Sequence, residues 1–405
     1  MALVALLSAR TAARDGVYAT PPALLIDFGG QSLIEYQMRL CTGAGADKIL
    51  IQIDAPTPEL AAITDQIADE YGCAVSLIQG MAGLGRAIAP QDSVLLLPEG
   101  VVIAQETLDS LAMRQGEAML TVPSVPATAA FERIDAQEMW AGGLTVSGER
   151  VLTTLDMLGE WDLALTLLRR AVQDGAPRIA LSADLVADAR IALVQDQASA
   201  DVALAALTER SFLAATEEQS GGIARVMAPL SRGLVRELVR RQINPAQILL
   251  GAMVLSAGAL VCAIMGWMLP AVLIMLPALG VAKVGEQCAH VTLRATGRRW
   301  QTMLVQAGGL LVLAILGLRL AEGNILATVG AWIPLVFIAL LTFASDRVPP
   351  LEDWYGQAEP GIAGALLLLL IGFLVGWPAL AFALLGVVMT GAIGLRLIRS
   401  PALKV

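Results

Sequence analysis

Late in this 405-residue chain the segment Ala282-Lys283-Val284-Gly285-Glu286-Gln287-Cys288-Ala289-His290 places Glu286 and His290 four residues apart, with Lys283 one turn earlier. Residues at that spacing share a helix face, where a carboxylate, an imidazole and an ammonium can meet and pass a proton. Ionisable groups in an apolar segment are expensive and their usual reason is function, although near the ends of a span snorkelling makes charge cheap. Glu286 and His290 are therefore the candidate catalytic pair, at the cytoplasmic mouth of a membrane span. A second charged set lies in Pro229–Gln242. There Leu230, Leu234, Leu238 and Val235 fall toward one helical face and Arg232, Arg236, Arg240 and Arg241 elsewhere. This reads as an interfacial helix whose arginines rest on lipid headgroups, each contributing roughly 1 kcal/mol near an anionic surface. It reads equally as an ordinary positive-inside flank. Cys41, Cys73, Cys262 and Cys288 lack CxxC spacing, which argues for no disulfide framework, no zinc site and a reducing compartment.

Apolar residues make up 56% of the chain and charged ones 16%, a balance rare in soluble globular proteins. Before Arg225 there are 13 basic and 29 acidic residues, and from it onward 14 and 7, so a net charge of −16 is followed by +7. Phosphate backbones call for clustered Lys and Arg, so the acidic half excludes nucleic acid as a partner. Spans need about twenty apolar residues. They are expected at 247–266, 268–288, 302–320, 325–344, 361–376 and 378–398, the last two forming a tight hairpin across Trp377 and Pro378. Nearly all basic residues of this half flank one side of that arrangement and only Arg319 falls on the other. The positive-inside rule then puts both termini and the soluble domain in the cytoplasm, the protein being multi-pass in the inner membrane.

Residues 1–219 read as an α/β domain with a largely parallel sheet, 220–246 as a hinge at Ser220-Gly221-Gly222 plus the interfacial helix, and 247–405 as the membrane domain. Met1–Ser8 has no basic n-region and reads as a first buried strand rather than an export signal. Strands are expected at Ala2–Leu7, Lys48–Ile53, Ala74–Ile78, Ser93–Leu97 and Ala118–Val122. Helices are expected at Ser32–Gly43, Thr57–Tyr71, Glu106–Gln115 and Asp162–Val172, with a final strand and helix within Ser182–Glu218.

Pro21–Ile53, with Gly29-Gly30 followed by Leu33-Ile34-Glu35-Tyr36-Gln37, resembles sugar-1-phosphate nucleotidyltransferases. Leu77–Ile88 is similar to that family's segment carrying "LG" before a helix. The PLSR helix, Asn244-Pro245 and the six spans resemble CDP-alcohol phosphotransferases, membrane enzymes that move a phospho-alcohol from a CDP carrier to an acceptor alcohol. In this order the two halves resemble fused bifunctional proteins of inositol-phospholipid synthesis. The resemblance implies a nucleotidyltransferase-like, Rossmann-like (GT-A-type) domain joined to an all-α domain of six transmembrane helices. It also implies a phosphate-cradling turn after the first strand. Here that turn reads Ser8-Ala9-Arg10-Thr11-Ala12-Ala13-Arg14, with Arg10 and Arg14 able to meet phosphate as charges. Glu99, in Pro98-Glu99-Gly100, stands where the family has its metal-binding acidic pair. Set against the phosphotransferase pattern of D-x-x-D-G-x-x-A-R, Ala282 and Gly285 replace the first two aspartates, and Met303 and Ala307 fall near the last two.

A divergent relative without metal-dependent chemistry is the reading these residues imply, acting as a partner, regulator or lipid-binding subunit. No cofactor is expected. The competing reading is a working headgroup transferase or nucleotidyltransferase with a non-standard site, which alone would call for Mg²⁺ or Mn²⁺. Membrane lipids are the expected partners, and a homodimer through the membrane domain and a catalytic partner protein are compatible with either reading.

Overall fold

A computed structural model of the chain describes residues 2–9, 25–53, 56–114, 116–157, 162–218, 234–235, 237–238, 243, 245–293, 299–321, 335–336, 338 and 361–399. It divides into two compact units, Met1–Leu207 and Thr208–Val405, the division falling inside a continuous helix, Gln197–Glu218. The expected glycine hinge at 220–222 lies outside the described residues.

The first unit runs β1 (Leu3–Ala9), α1 (Leu33–Gly43), β2 (Lys48–Ile53), α2 (Pro58–Tyr71), β3 (Ala74–Gln79), α3 (Gly80–Ala87), β4 (Ser93–Leu97), β5 (Val101–Ile103) and α4 (Gln105–Ala112). It continues with β6 (Ala118–Pro123), β7 (Glu132–Arg133), β8 (Glu138–Ser147), α5 (Gly148–Leu155), α6 (Leu163–Gln173), β9 (Arg178–Ala180), α7 (Asp184–Ala187), β10 (Ile191–Leu193) and α8 (Gln197–Glu218). The main sheet has the order β3-β2-β1-β4-β8-β6-β9 with β7 paired to β8, and β5 pairs with β10 in a separate two-stranded ribbon. β3, β2, β1 and β4 are parallel. β8 runs against both β4 and β6, and β9 follows β6, so β8 alone reverses direction along that path. Val4 to Leu7 and Val94 to Leu97 are at most 1% exposed, as central parallel strands covered on both faces require.

The helices start where their caps say. Ser32 and Glu35 form a reciprocal capping box at α1, Thr57 caps α2 ahead of Pro58, and Asp162 caps α6. The "LG" of Leu84-Gly85 lies within α3 rather than ahead of it. β8, absent from the expected strands, is buried along nearly its whole length. Its pattern is interrupted by Gly142 and Gly143, which let the chain approach Val101 and the Leu111 and Leu120 side chains where any Cβ would collide.

The second unit contains α9 (Pro245–Ile264), α10 (Met268–Val291), α11 (Arg299–Leu320), α12 (Ile362–Val375) and α13 (Pro378–Arg399) among its described residues. Pro245–Ile264, Met268–Val291 and Trp300–Leu320 are long and apolar enough to cross a membrane, and α12 is a shorter apolar helix. Within the expected fourth span only Leu335, Val336 and Ile338 are described, all helical. α12 and α13 pack as the expected hairpin, turned by Gly376 in the left-handed conformation with the Trp377 amide donating to the Gly372 carbonyl at 2.8 Å. Buried alanines (Ala252, Ala259, Ala263, Ala271, Ala278) line the interior, whereas Leu250, Val254, Leu273, Leu311 and Leu374 remain exposed, as a lipid-facing surface would be. Arg319, the one cation expected on the far side, donates to the Ile264 carbonyl at 2.9 Å and so caps the C-terminus of α9.

Candidate functional site

The chain passes from β1 to β2 to β3 on one side of the sheet and returns to place β4 on the other side of β1. In open α/β sheets the crevice at such a reversal, outside the carboxyl ends of the strands, is where ligands sit. Here it lies beyond Ala9 of β1 and Leu97 of β4. The β4 side is the turn Pro98-Glu99-Gly100, and it is fixed from two directions. The Gln37 side chain of α1, 1% exposed, donates through Nε2 to the Pro98 carbonyl at 3.0 Å and to the Val101 carbonyl at 2.9 Å. From the opposite direction the Val194 amide donates to the Gly100 carbonyl at 2.7 Å. Gly100 has φ +79°, and a Cβ there would stand 2.4 Å from the Val194 carbonyl oxygen, so only glycine fits. Glu99, half-buried, is thus presented on a rigid turn at the crevice.

The approach to α1 is held as firmly. Gly29 and Gly30 take left-handed conformations (φ 71° and 78°), the Gly30 amide donates to Asp27 Oδ1 at 3.0 Å, and the Phe28 amide donates to the Gln31 carbonyl at 2.7 Å. Beneath them the Arg39 guanidinium, its side chain fully buried, donates to Gln31 Oε1, donates to Glu70 Oε2 at 3.0 Å and lies 3.6 Å from Glu35. Phe28 packs on Tyr36 with ring centroids 4.7 Å apart, and burial pushes the Tyr36 phenol well above its ordinary range. Gln197, at the start of α8, donates to the Asp27 carbonyl at 2.9 Å, which brings a distant segment to the same loop.

Arg10 and Arg14, the expected phosphate contacts, lie outside the described residues, as does the rest of the segment leaving β1. Glu99 is where the sequence places it, at a strand-terminating turn. Among the described residues no group of three or more His, Cys, Asp or Glu side chains could hold a metal ion. Gln37, Asp27 and Gln197 are additions that spacing does not signal, since their partners are main-chain atoms up to 170 residues away.

In the helical unit, Lys283 Nζ pairs with Glu286 Oε2 at 3.1 Å, both side chains partly exposed. His290 is exposed, and its carbonyl accepts from the Leu293 amide at 3.2 Å. The ion pair is thus Lys283–Glu286, and no bond joins Glu286 to His290 among the described contacts. On another side of the same helix Ala282 is 4% exposed, and a Cβ on Gly285 would come within 3.0 Å of Leu249 and 3.3 Å of Ile248. The Gln287 Oε1 of this helix is buried with no hydrogen-bond partner among the described residues. Arg232, Arg236, Arg240 and Arg241 lie outside the described residues. Of the expected interfacial helix, Val235 is fully buried and Leu234 half exposed, so those two neighbours face different surroundings.

No protein-family model matches the sequence, and no curated protein matches it. Solved structures do align with it. One is a glucose-1-phosphate thymidylyltransferase from Bacillus anthracis in complex with sucrose, at 10% identity over 45% of this chain and 87% of the other, with a TM-score of 0.36. Another is the inositol-1-phosphate CTP transferase from T. maritima, at 13% identity over 44% and 85%, with a TM-score of 0.34. The chain joins an α/β mixed-sheet domain to a helical unit in which, among the described residues, three helices are long and apolar enough to span a membrane.

Proposed function

We propose that the protein is a membrane-embedded relative of the fused nucleotidyltransferase–phosphotransferase proteins that has lost metal-dependent transfer, and that it serves as a partner, regulator or lipid-binding subunit in phospholipid headgroup synthesis. One observation carries the reading. The two positions where the resemblance calls for metal-binding aspartates, Ala282 and Gly285, are packed into apolar contact, Gly285 so closely against Leu249 and Ile248 that a carboxylate would be driven between them. An ionised carboxylate buried there without partners would cost several kcal/mol. The α/β unit supports the same reading: among the described residues its crevice offers Glu99 on a rigid turn and no group of three or more His, Cys, Asp or Glu side chains, a weak anchor for a metal that binds with triphosphate. Arg232, Arg236, Arg240 and Arg241 would supply the headgroup contact. The basic flanks support a cytoplasmic location for both termini and the α/β unit.

The test is transfer itself. Membranes containing the protein are incubated with radiolabelled CDP-alcohols and Mg²⁺ or Mn²⁺, and purified protein with CTP and sugar or inositol phosphates. The expected result is no product above that of membranes lacking the protein. Transfer by purified protein that is abolished by Glu286→Gln, with the variant still folded and inserted, would overturn the proposal and establish the competing enzyme reading with Lys283, Glu286 and His290 at its centre.

A further inference from the structure

A cavity of about 170 Å³ lies between α6 and the turn at Glu132–Ile134, and it shares no residue with the β1–β4 crevice. Its floor is apolar: Leu165, Leu168 and Val172 sit three and four residues apart along one face of α6, with Ile134 opposite. Its rim carries Arg133, Arg169 and Glu132. Both arginines are exposed. Arg133 uses its Nε on the Asp135 carbonyl at 3.1 Å, and Arg169 makes no hydrogen bond or ion pair among the described residues.

Of the nine arginines described in this unit three are held by carboxylates, and of the other six Arg133 and Arg169 line the same cavity. Arg39 is held by Glu35 and Glu70, Arg150 by Glu117 and Asp174, and Arg178 by Asp135 and Glu138. Two guanidinium groups without carboxylate partners at the mouth of one apolar cavity are complementary to a molecule with an anionic head and an apolar body, since the planar guanidinium fork matches carboxylate or phosphate oxygens. The cavity is open on one side, and its apolar floor offers room for a ring or a short branched chain.

We propose that this cavity is a binding site for a small organic anion: one carboxylate or phosphate, held by Arg133 and Arg169, on a single ring or short aliphatic group that covers Leu165, Leu168 and Val172. Glu132 on the rim selects for a single anionic group by repelling a second. The site is separate from any nucleotide crevice and its occupancy stands whether or not the protein catalyses transfer.

Equilibrium dialysis of the full-length protein in detergent decides the matter, with phenyl phosphate and benzoate as probes and inorganic phosphate and benzyl alcohol as their polar and apolar halves. Each probe is expected to bind at least tenfold more tightly than either half. The double variant Arg133→Gln/Arg169→Gln, both surface residues, is expected to lower probe affinity at least tenfold while keeping the parent's melting temperature. Arg86→Gln/Arg114→Gln removes the same charge from exposed arginines elsewhere in the unit and is expected to leave binding within twofold. Inorganic phosphate binding as tightly as phenyl phosphate, or equal losses in the two double variants, would reduce the site to general attraction and overturn the proposal.

Discussion

Gly100 of the α/β unit and Gly309 of the helical unit both occupy positions where a Cβ would collide, yet what it would strike differs. At Gly100 the obstacle is the Val194 backbone carbonyl at 2.4 Å, and the residue also has φ +79°. At Gly309 the obstacles are the Ile362 Cγ2 at 2.7 Å and the Met275 Cε at 3.2 Å, both ends of side chains, and the glycine is helical. The first unit is shaped by directed bonds among fixed backbone and buried polar groups. The second is shaped by helices brought close through small residues, with neighbours that can turn aside. A crevice meant to present Glu99 at a set position needs the first kind of support. Helices apolar enough to cross lipid, where polar anchors are costly, suit the second.

The largest consequence is expected at Arg39. Replacing it by Met keeps much of its volume but leaves Glu35, Glu70 and Gln31 without their shared donor. Removing one partner from a buried charged network is expected to cost about 3–5 kcal/mol. Urea titration read by pulse proteolysis of the α/β unit measures this directly. A cost no greater than that of a bundle glycine substitution would erase the contrast between the units.

Gly100→Ala comes next. A left-handed alanine is strained by roughly 1–3 kcal/mol before the collision with Val194 is counted, so a loss of about 3 kcal/mol is expected. The Pro98–Gly100 turn would shift with it. Gly309→Ala is expected to cost about 1 kcal/mol, because overpacking against mobile side-chain ends is relieved by rotamer changes. Thermal unfolding of the detergent-solubilised protein gives the ranking, and equal losses at the two glycines would show that the bundle is as rigid as the sheet.

The same contrast explains what the sequence discloses. Apolar runs such as Lys48–Ile53 and Ser93–Leu97 mark central strands plainly, and the helices at 245–264, 268–291 and 299–320 fall where hydropathy expects spans. β8 escapes because Gly142 and Gly143 serve close approach rather than strand propensity, and β5, three residues long, is too short to carry a pattern, whereas β10 and α8 fall within Ser182–Glu218, where a final strand and helix are expected. At the crevice Glu99 is legible from its neighbours Pro98 and Gly100. Gln37 stands in the Leu33–Gln37 run, but its role is not legible there, for its amide binds the main-chain carbonyls of 98 and 101, more than sixty residues away. Likewise the spacing that pairs Glu286 with His290 permits Lys283 equally, and the longer, more flexible ammonium makes the contact.

The smallest expected effect tests whether directed bonds matter even at the exposed edge of the α/β unit. Asp196 caps α8: its Oδ1 accepts from the Ser199 amide at 2.8 Å and from the Ser199 hydroxyl at 2.7 Å. Those bonds, the hydroxyl's first, hold its carboxyl below the ordinary carboxylate value. A depressed folded-state value means that the cap's ionic contribution is fully present above the unfolded carboxylate value, about 3.9, and is lost as pH falls through the folded one. Asp196→Asn keeps an acceptor oxygen and removes the titration. At pH 6 the parent is therefore expected to melt slightly above the variant, and the gap is expected to close as pH is lowered from about 4 toward 2, with Gln197 and its bond to the Asp27 carbonyl loosening over the same interval. Hydrogen exchange at the Ser199 and Ala200 amides, corrected for the intrinsic pH dependence, follows the cap locally. A gap that stays constant with pH would mean that the carboxylate acts only as a neutral acceptor, and that the directed bonds shaping this unit weaken before they reach its surface.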